Sequence, residues 1–180
     1  NLVPHAPYTI SDTTFKRINQ LTSNAVISIH NQENPAEDEL YKKGTGDYLK
    51  FLQKFGFNAS PFPITGKSSL QSCLPHFNKK QRVLLVHNTF TSQKDISFAH
   101  EYTNEYLTGI HFCLCINANL YIENKVPPIE LLMKNNAEVV LGTDSYSSNW
   151  QLSIASEIKT IKKQFPQIPL QTILKWATSN

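Results

Sequence analysis

The chain has 180 residues, 40% of them apolar and 17% charged, which is one domain's worth of chain with enough apolar content for a core. Lysine and arginine number 17 and aspartate and glutamate 14, so the net charge is only +3. It is dispersed along the chain, too small and too scattered to suggest nucleic acid or an anionic membrane surface, and neither is expected as a partner. No apolar run approaches the ~20 residues of a membrane span, and three cysteines, an odd number, argue against a disulfide framework and fit a reducing cytoplasm.

In chain order, strands alternate with helices. The sequence opens at Asn1 and its one methionine is Met133, so the chain is expected to be a piece of a longer protein. Leu2-Val3 reads as the end of a strand, followed by a loop from Pro4 to Thr9. Ser11 or Asp12 caps a helix that carries Phe15, Ile18 and Leu21 on one face. Ala25 to Ile29 is an apolar strand that ends in His30. Residues 35–55 have helical spacing, which Gly44 and Gly46 should break. A loop with Pro61 and Pro63 runs from Asn58 to Gly66, and a short helix follows over about 67–76.

The basic cluster Lys79-Lys80 with Arg82 reads as a solvated loop before strand 82–87, which ends in His87. Ser92 can cap a helix over 93–104. Strand 110–115 places Cys113 and Cys115 on one face, packed in a layer of the sheet, and a polar loop from Asn117 to Val126 follows. Pro127-Pro128 starts a helix through Asn135. Strand 138–143 runs into Asp144, and helices over 151–164 and 169–177 complete the chain.

The β-α alternation with near-continuous apolar strands implies a parallel sheet covered by helices. Five strands suit part of a (β/α) barrel, and a doubly wound sheet is the alternative. No Gly-rich phosphate loop occurs, which argues against a nucleotide cofactor. His30, His87 and Asp144 each follow an apolar strand. Metal-ligating or acid-base residues at the ends of several parallel strands read as a catalytic rim. Glu33, three residues after His30, can turn back over the same site and move a proton. Taken singly, each has a plainer reading. His30 and Glu33 fit a solvated loop, His87 a hydrogen-bonded structural histidine, and Asp144 a turn cap.

Several stretches resemble the metal-dependent amidohydrolase superfamily, in its chlorohydrolase and aminohydrolase branch. They are Pro4 to Thr9, Ile29-His30-Asn31-Gln32-Glu33, Leu85-Val86-His87, Cys115 to Leu120, and Leu141-Gly142-Thr143-Asp144-Ser145 with Ser147-Ser148-Asn149. The resemblance spans the chain in the right order. It implies an α/β fold, a partial TIM-type (β/α) barrel holding about strands 4 to 8 with their helices, as a single fragment over residues 1–180. It also implies His30 and Asp144 as metal ligands, Glu33 as proton shuttle, Asp144 as general base, and His87 as the group that polarises water or the intermediate. His5, Asn119 and Ser148 would face the substrate, although His5 between two prolines also fits a plain loop residue.

The implied cofactor is a divalent metal, zinc first, with iron or manganese as alternatives. The implied reaction is attack of metal-bound hydroxide on an aminated heterocycle, purine- or pterin-like, with loss of ammonia. The alternatives are hydrolysis of a cyclic amide or a carbon–halogen bond, and a non-catalytic binding scaffold. The superfamily's His-x-His pair does not occur in this chain. That pair, the first strands and the terminal β-sandwich are therefore expected upstream or outside. The fragment alone is expected to be inactive, and to form a homo-oligomer or pair with the missing part of the barrel.

Overall fold

Four apolar segments form one parallel sheet in the computed structural model, which describes residues 2–22, 25–57, 61–78 and 80–180. The strands are β1 (Val26–Asn31), β2 (Arg82–His87), β3 (Gly109–Leu114) and β4 (Val139–Leu141), in the order β1-β2-β3-β4. Their register pairs Val26 with Arg82 and Asn31 with His87, Val83 with Ile110, and Phe112 with Val139. Between them run α1 (Asp12–Leu21), α2 (Pro35–Lys43), α3 (Asp47–Gln53), α4 (Ser69–Cys73), α5 (Gln93–Tyr106), α6 (Ile116–Glu123), α7 (Ile129–Lys134), α8 (Ile154–Gln164) and α9 (Leu170–Thr178). Short 3-10 turns cover Pro7–Thr9 and Leu74–His76.

Alternation along the strands decides the two faces. Ile27, Ile29, Val83, Leu85, Phe112, Leu114 and Val139 are buried together with Phe15, Leu70, Ile96, Leu132, Ile161 and Ile173, all six of these from the helices. Each fully buried aliphatic or aromatic side chain contributes about 1.5–3 kcal/mol. The opposite face carries Leu84, Val86, Cys113 and Val140, with Cys115 and Ala118. The two thiols pack in this inner layer, as expected from their spacing.

Helix starts follow the expected chemistry. Ser11, Asn34, Ser68, Ser92 and Ser153 each accept a backbone N–H at a helix start. Gly44, with φ of 64°, ends α2, and its N–H bonds to the Leu40 carbonyl. The 35–55 segment is thereby split into α2 and α3, as the two glycines suggested.

Four expectations need correction. Leu2 and Val3 form no strand. Among the described residues, one backbone bond, from His30 N to the His5 carbonyl at 2.9 Å, links the opening segment to β1. The stretch 117–126 is helical over Ile116–Glu123; its buried residues, Ile116, Asn117, Ala118 and Asn119, are consecutive and half polar, so no apolar stripe marks it in the sequence. The helix after Pro127-Pro128 begins at Ile129, because Pro128, with ψ of 66°, stands outside the helical region as its N-cap. The fourth strand is shorter than 138–143, because Gly142 leads directly into a turn at Asp144. Asn58, at the head of the loop to Gly66, and Lys79 of the basic cluster lie outside the described residues. Among the described residues no helix is long and apolar enough to cross a membrane.

Three buried acids from helix first turns anchor the loops at the C-terminal ends of the strands. Glu37 of α2 accepts from Gln32 N at 3.0 Å, Glu33 N at 2.9 Å and Ser69 Oγ at 3.0 Å. Asp95 of α5 accepts from Ser68 Oγ at 2.5 Å, Ser92 N at 2.9 Å and Gln32 Nε2 at 3.2 Å. Glu157 of α8 accepts from Asn117 N and from Asn149 Nδ2, both at 3.0 Å, and Asn149 in turn donates to the Thr143 carbonyl. Burial works to raise the Asp95 carboxyl, but the bonds from Ser68, Ser92 and Gln32 outweigh it and hold the group low. Burial pushes the Glu37 carboxyl up to about 7.

The Glu37 shift makes stability depend on pH. The neutral form is favoured in the folded chain, so its contribution is complete below about 4.5 and is lost as pH rises to about 7. The loss from this one group is roughly 3 kcal/mol at most. Urea unfolding of the chain at a series of pH values should show this decline, and Glu37→Gln should flatten it. An equal slope in the variant would place the titration elsewhere.

Candidate active site

The β1–β2 register sets His30 beside Val86 and Asn31 beside His87. In regular strands His30 and His87 would therefore point to opposite faces. They meet because the chain bends at His87, where φ is 80°, and at Asn88, where φ is 60°. The Asn88 side chain supports the bend. Its Nδ2 donates to the Leu85 carbonyl at 2.8 Å and the Cys113 carbonyl at 3.2 Å, and its Oδ1 accepts from Asn31 Nδ2 at 3.0 Å.

The result is a cluster in which one ligand atom each of His30, Glu33 and His87 lie within 4.8 Å of one another. His87 Nε2 is 2.8 Å from His30 Nδ1, and the two rings stack with centroids 4.9 Å apart. Glu33 Oε2 is 3.8 Å from His30 Nδ1, and Glu33 Oε1 is 3.6 Å from His87 Nε2.

Asn119 fixes the tautomer of His87. Its Nδ2 donates to the His87 carbonyl at 3.2 Å and to Thr89 Oγ1 at 2.7 Å. Its Oδ1 is thus the atom that faces His87 Nδ1 at 3.0 Å, and that nitrogen carries the proton. His87 Nε2 keeps its lone pair and accepts from His30 Nδ1. Asn119 is fully buried with its amide spent on these partners, so it acts on His87 rather than offering a donor to a substrate.

Burial lowers the pKa of both His30 and His87; for His30 the neighbouring His87 adds to the effect. Both rings are therefore neutral near neutral pH, and their contacts with Glu33 are not ion pairs. Burial raises the Glu33 carboxyl, opposed by His30 and supported by the charge of Asp144. Two imidazoles and a carboxylate at this spacing are a donor set suited to a divalent cation such as zinc, iron or manganese.

Asp144 is not among the atoms within 4.8 Å of one another. It sits in the left-handed region with φ of 58°, and it accepts a hydrogen bond from Ser148 Oγ. Its charge reaches His30, Glu33 and His87. Ser148 is thereby tied to Asp144 and also contacts Ser145 Oγ at 3.1 Å. His5 is exposed, with its ring 4.9 Å from that of His30 and its Nδ1 3.2 Å from Thr9 Oγ1.

Sequence reasoning missed the residues that hold these groups. Asn88, Thr89 and Gln32 gave no signal, because single polar residues in a loop look alike. Glu37 had one, since Asn34-Pro35-Ala36-Glu37 has the spacing of a capping box. Its carboxylate reaches past the cap to the Gln32 and Glu33 amides.

The sequence matches the amidohydrolase family over residues 1–180. Aminodeoxyfutalosine deaminase of a Nitratiruptor species is 26% identical over 173 residues, which cover 95% of this chain and 39% of that protein. The structure of Helicobacter pylori aminofutalosine deaminase in complex with methylthio-coformycin superimposes with a TM-score of 0.75 at 22% identity, covering 96% of this chain and 41% of the other. That of an adenosine deaminase from Xanthomonas campestris with bound zinc gives 0.57 at 24% identity, covering 89% and 31%. The chain spans only about two-fifths of the length of the first of these relatives. These likenesses fix the fold as part of a (β/α) barrel rather than a doubly wound sheet. Matched along its whole length, the chain belongs to the amidohydrolase family.

Proposed function

We propose that the protein containing this chain is a metal-dependent hydrolase that removes the amino group of an aminated heterocycle, most simply a purine-like nucleoside, as ammonia. The observation that carries this reading is the meeting of His30, Glu33 and His87 at the C-terminal ends of two parallel strands. The names of the relatives, deaminases of nucleoside-like compounds, support the substrate class.

His30 and Asp144 would hold the cation, with further ligands from outside these 180 residues. Zinc is the proposed metal, supported by the donor set and by the zinc of the Xanthomonas campestris relative. When bound, the cation supplies Lewis acidity and an acidic water. His87 Nε2, left unprotonated because Asn119 holds the proton on Nδ1, would turn its lone pair from His30 Nδ1 to a hydrogen of the attacking water and orient it. Water adds to the ring carbon that bears the amino group. Glu33 carries one proton of the water to the adjacent ring nitrogen, and the proton left on the added hydroxyl goes to the departing amine. The C–N bond breaks, ammonia leaves, and a carbonyl replaces the amine. A carboxyl raised by burial suits both halves of this transfer near neutral pH.

His5 and Ser148 are proposed at the substrate, and Asn119 as a positioning residue. The reading extends to location and assembly. The free thiols Cys73, Cys113 and Cys115 fit a reducing, cytoplasmic setting. The outer strands β1 and β4 each have one unpaired edge among the described residues, and Val26 is 53% exposed. Such edges invite pairing, here with the rest of the barrel or a second copy.

Three outcomes test the reading in the full-length protein. Glu33→Gln should lower kcat by about 100-fold or more, measured as ammonia release from a panel of aminopurine nucleosides. Activity near the wild-type level would remove Glu33 from proton transfer. Asn119→Ala should lower kcat by about 10- to 100-fold with little change in KM, since it frees the His87 ring without touching substrate. A rise in KM alone would return Asn119 to the substrate. Elemental analysis after dialysis should find about one equivalent of metal in the full-length protein, with activity lost on chelation. The 180-residue chain should hold less than about a tenth of an equivalent, because His30 and Asp144 supply only two of the three or more protein ligands that a catalytic site needs.

A further inference from the structure

Gln32 stands directly before Glu33 and two residues after His30. It is buried, and its φ of 45° lies in the left-handed region. An amide taken out of water into a strained stretch of backbone persists only where the protein replaces every bond that water gave it.

All its polar atoms are in fact engaged. The backbone N–H donates to Glu37 Oε2 at 3.0 Å, and the carbonyl accepts from Phe90 N, also at 3.0 Å. In the side chain, Oε1 accepts from Thr91 Oγ1 at 2.8 Å. Nε2 donates to Asp95 Oδ2 at 3.2 Å and to Asp38 Oδ1 at 3.3 Å. The two carboxylates settle which way the amide points, since Oε1 in that place would face acceptors alone.

These partners come from α2, from α5 and from the segment that leaves His87. Phe90 and Thr91 follow His87 by three and four residues. Gln32 therefore joins the loop after β1, which carries Glu33, to the loop after β2, which carries His87. The Glu33 carboxylate lies where the two loops meet, with Oε1 3.6 Å from His87 Nε2 and Oε2 3.8 Å from His30 Nδ1. Rotation of the Gln32 backbone would swing Glu33 off that line. A proton carrier tolerates little of this, because a misplacement of about 1 Å can cost about 100-fold in rate.

We propose that Gln32 is a positioning residue, which sets Glu33 against His87 by tying the two rim loops together through its buried amide. The assignment rests on the deaminase reading for the role of Glu33.

Gln32→Met keeps the length of the side chain and removes its hydrogen bonds, so it separates this role from plain filling of space. In the full-length protein it should lower kcat for ammonia release by about 10- to 100-fold, with KM little changed and about one equivalent of metal retained. Thr91→Val removes the donor to Oε1 and should lower kcat by about threefold or more. In the double variant the two losses should fall short of their product, because both cut one shared bond. A kcat near wild type in Gln32→Met overturns the proposal, as does a rise in KM alone, a kcat that falls only in step with lost metal, or losses that multiply in full. Should Gln32→Met fail to fold, Thr91→Val decides, and an unchanged kcat there overturns it.

If the wild-type protein deaminates none of the aminopurine nucleosides, the functional reading fails by itself. Crystal structures of wild-type and Gln32→Met protein then decide the positioning role. Displacement of the Glu33 carboxylate from His87 Nε2 by about 1 Å or more in the variant upholds it, and an unmoved carboxylate overturns it.

Discussion

The backbone bend at His87 is the constraint on which the site depends. A buried, non-glycine residue with φ of 80° is costly, on the order of 1–3 kcal/mol, and persists only where its surroundings over-determine it. Here they do. Asn88 binds the Leu85 carbonyl of its own strand, and the Cys113 carbonyl and the Asn31 amide of the two neighbouring strands, and Asn119 binds both the His87 carbonyl and its ring. Without the bend, alternation would send the two histidines to opposite faces of the sheet. The strain is thus what converts two ordinary strand ends into one cluster, and the polar network around it is the compensation.

The same logic repeats at each loop of the rim. Glu37, Asp95 and Glu157 leave the first turns of their helices and bind amides and hydroxyls of the loops nearby. An acid in that position also lies at the positive end of the helix dipole. The arrangement separates two duties of carboxylates. The anchoring acids are saturated with donors and hold backbone. Glu33 has its own amide bound by Glu37 but keeps its carboxylate beside two neutral imidazoles, available for proton transfer.

What the sequence revealed and what it hid divide along physical lines. Strands β1, β2 and β3 were legible because continuous apolar runs ending in polar residues leave few other readings. The caps Ser11 and Ser92 were legible because short side-chain oxygens have a local role. His30, Glu33, His87 and Asp144 stood out by residue type and by position at strand ends. Helix α6 was not legible, because Asn117 and Asn119 bury amide–carboxylate and amide–imidazole bonds beside Ile116 and Ala118, and periodicity registers only apolar contacts. Leu2-Val3 looked like strand, but an apolar pair becomes one only when a partner supplies a ladder. The positive φ values at Gln32, His87, Asn88 and Asp144 are tertiary outcomes that no local pattern encodes.

Beneath the rim, the inner layer explains why the turn to Asp144 begins at a glycine. A Cβ on Gly142 would stand 2.9 Å from Cys113 Sγ and 3.1 Å from Cys115 Sγ, closer than packed atoms tolerate. The two thiols occupy the volume that a side chain at 142 would need, so β3 and the end of β4 approach closely. Gly142 N then bonds to the Leu114 carbonyl at 3.0 Å, which carries the β3–β4 ladder one residue past the last regular pair. Two residues later the chain turns left-handed at Asp144, with Asn149, itself bound to Glu157, donating to the Thr143 carbonyl from the other side. The cysteines thus act through volume, setting how close the strands come and therefore where the turn carries its carboxylate. Their spacing in the sequence, which invites thoughts of metal or redox chemistry, is accounted for by the missing side chain opposite them.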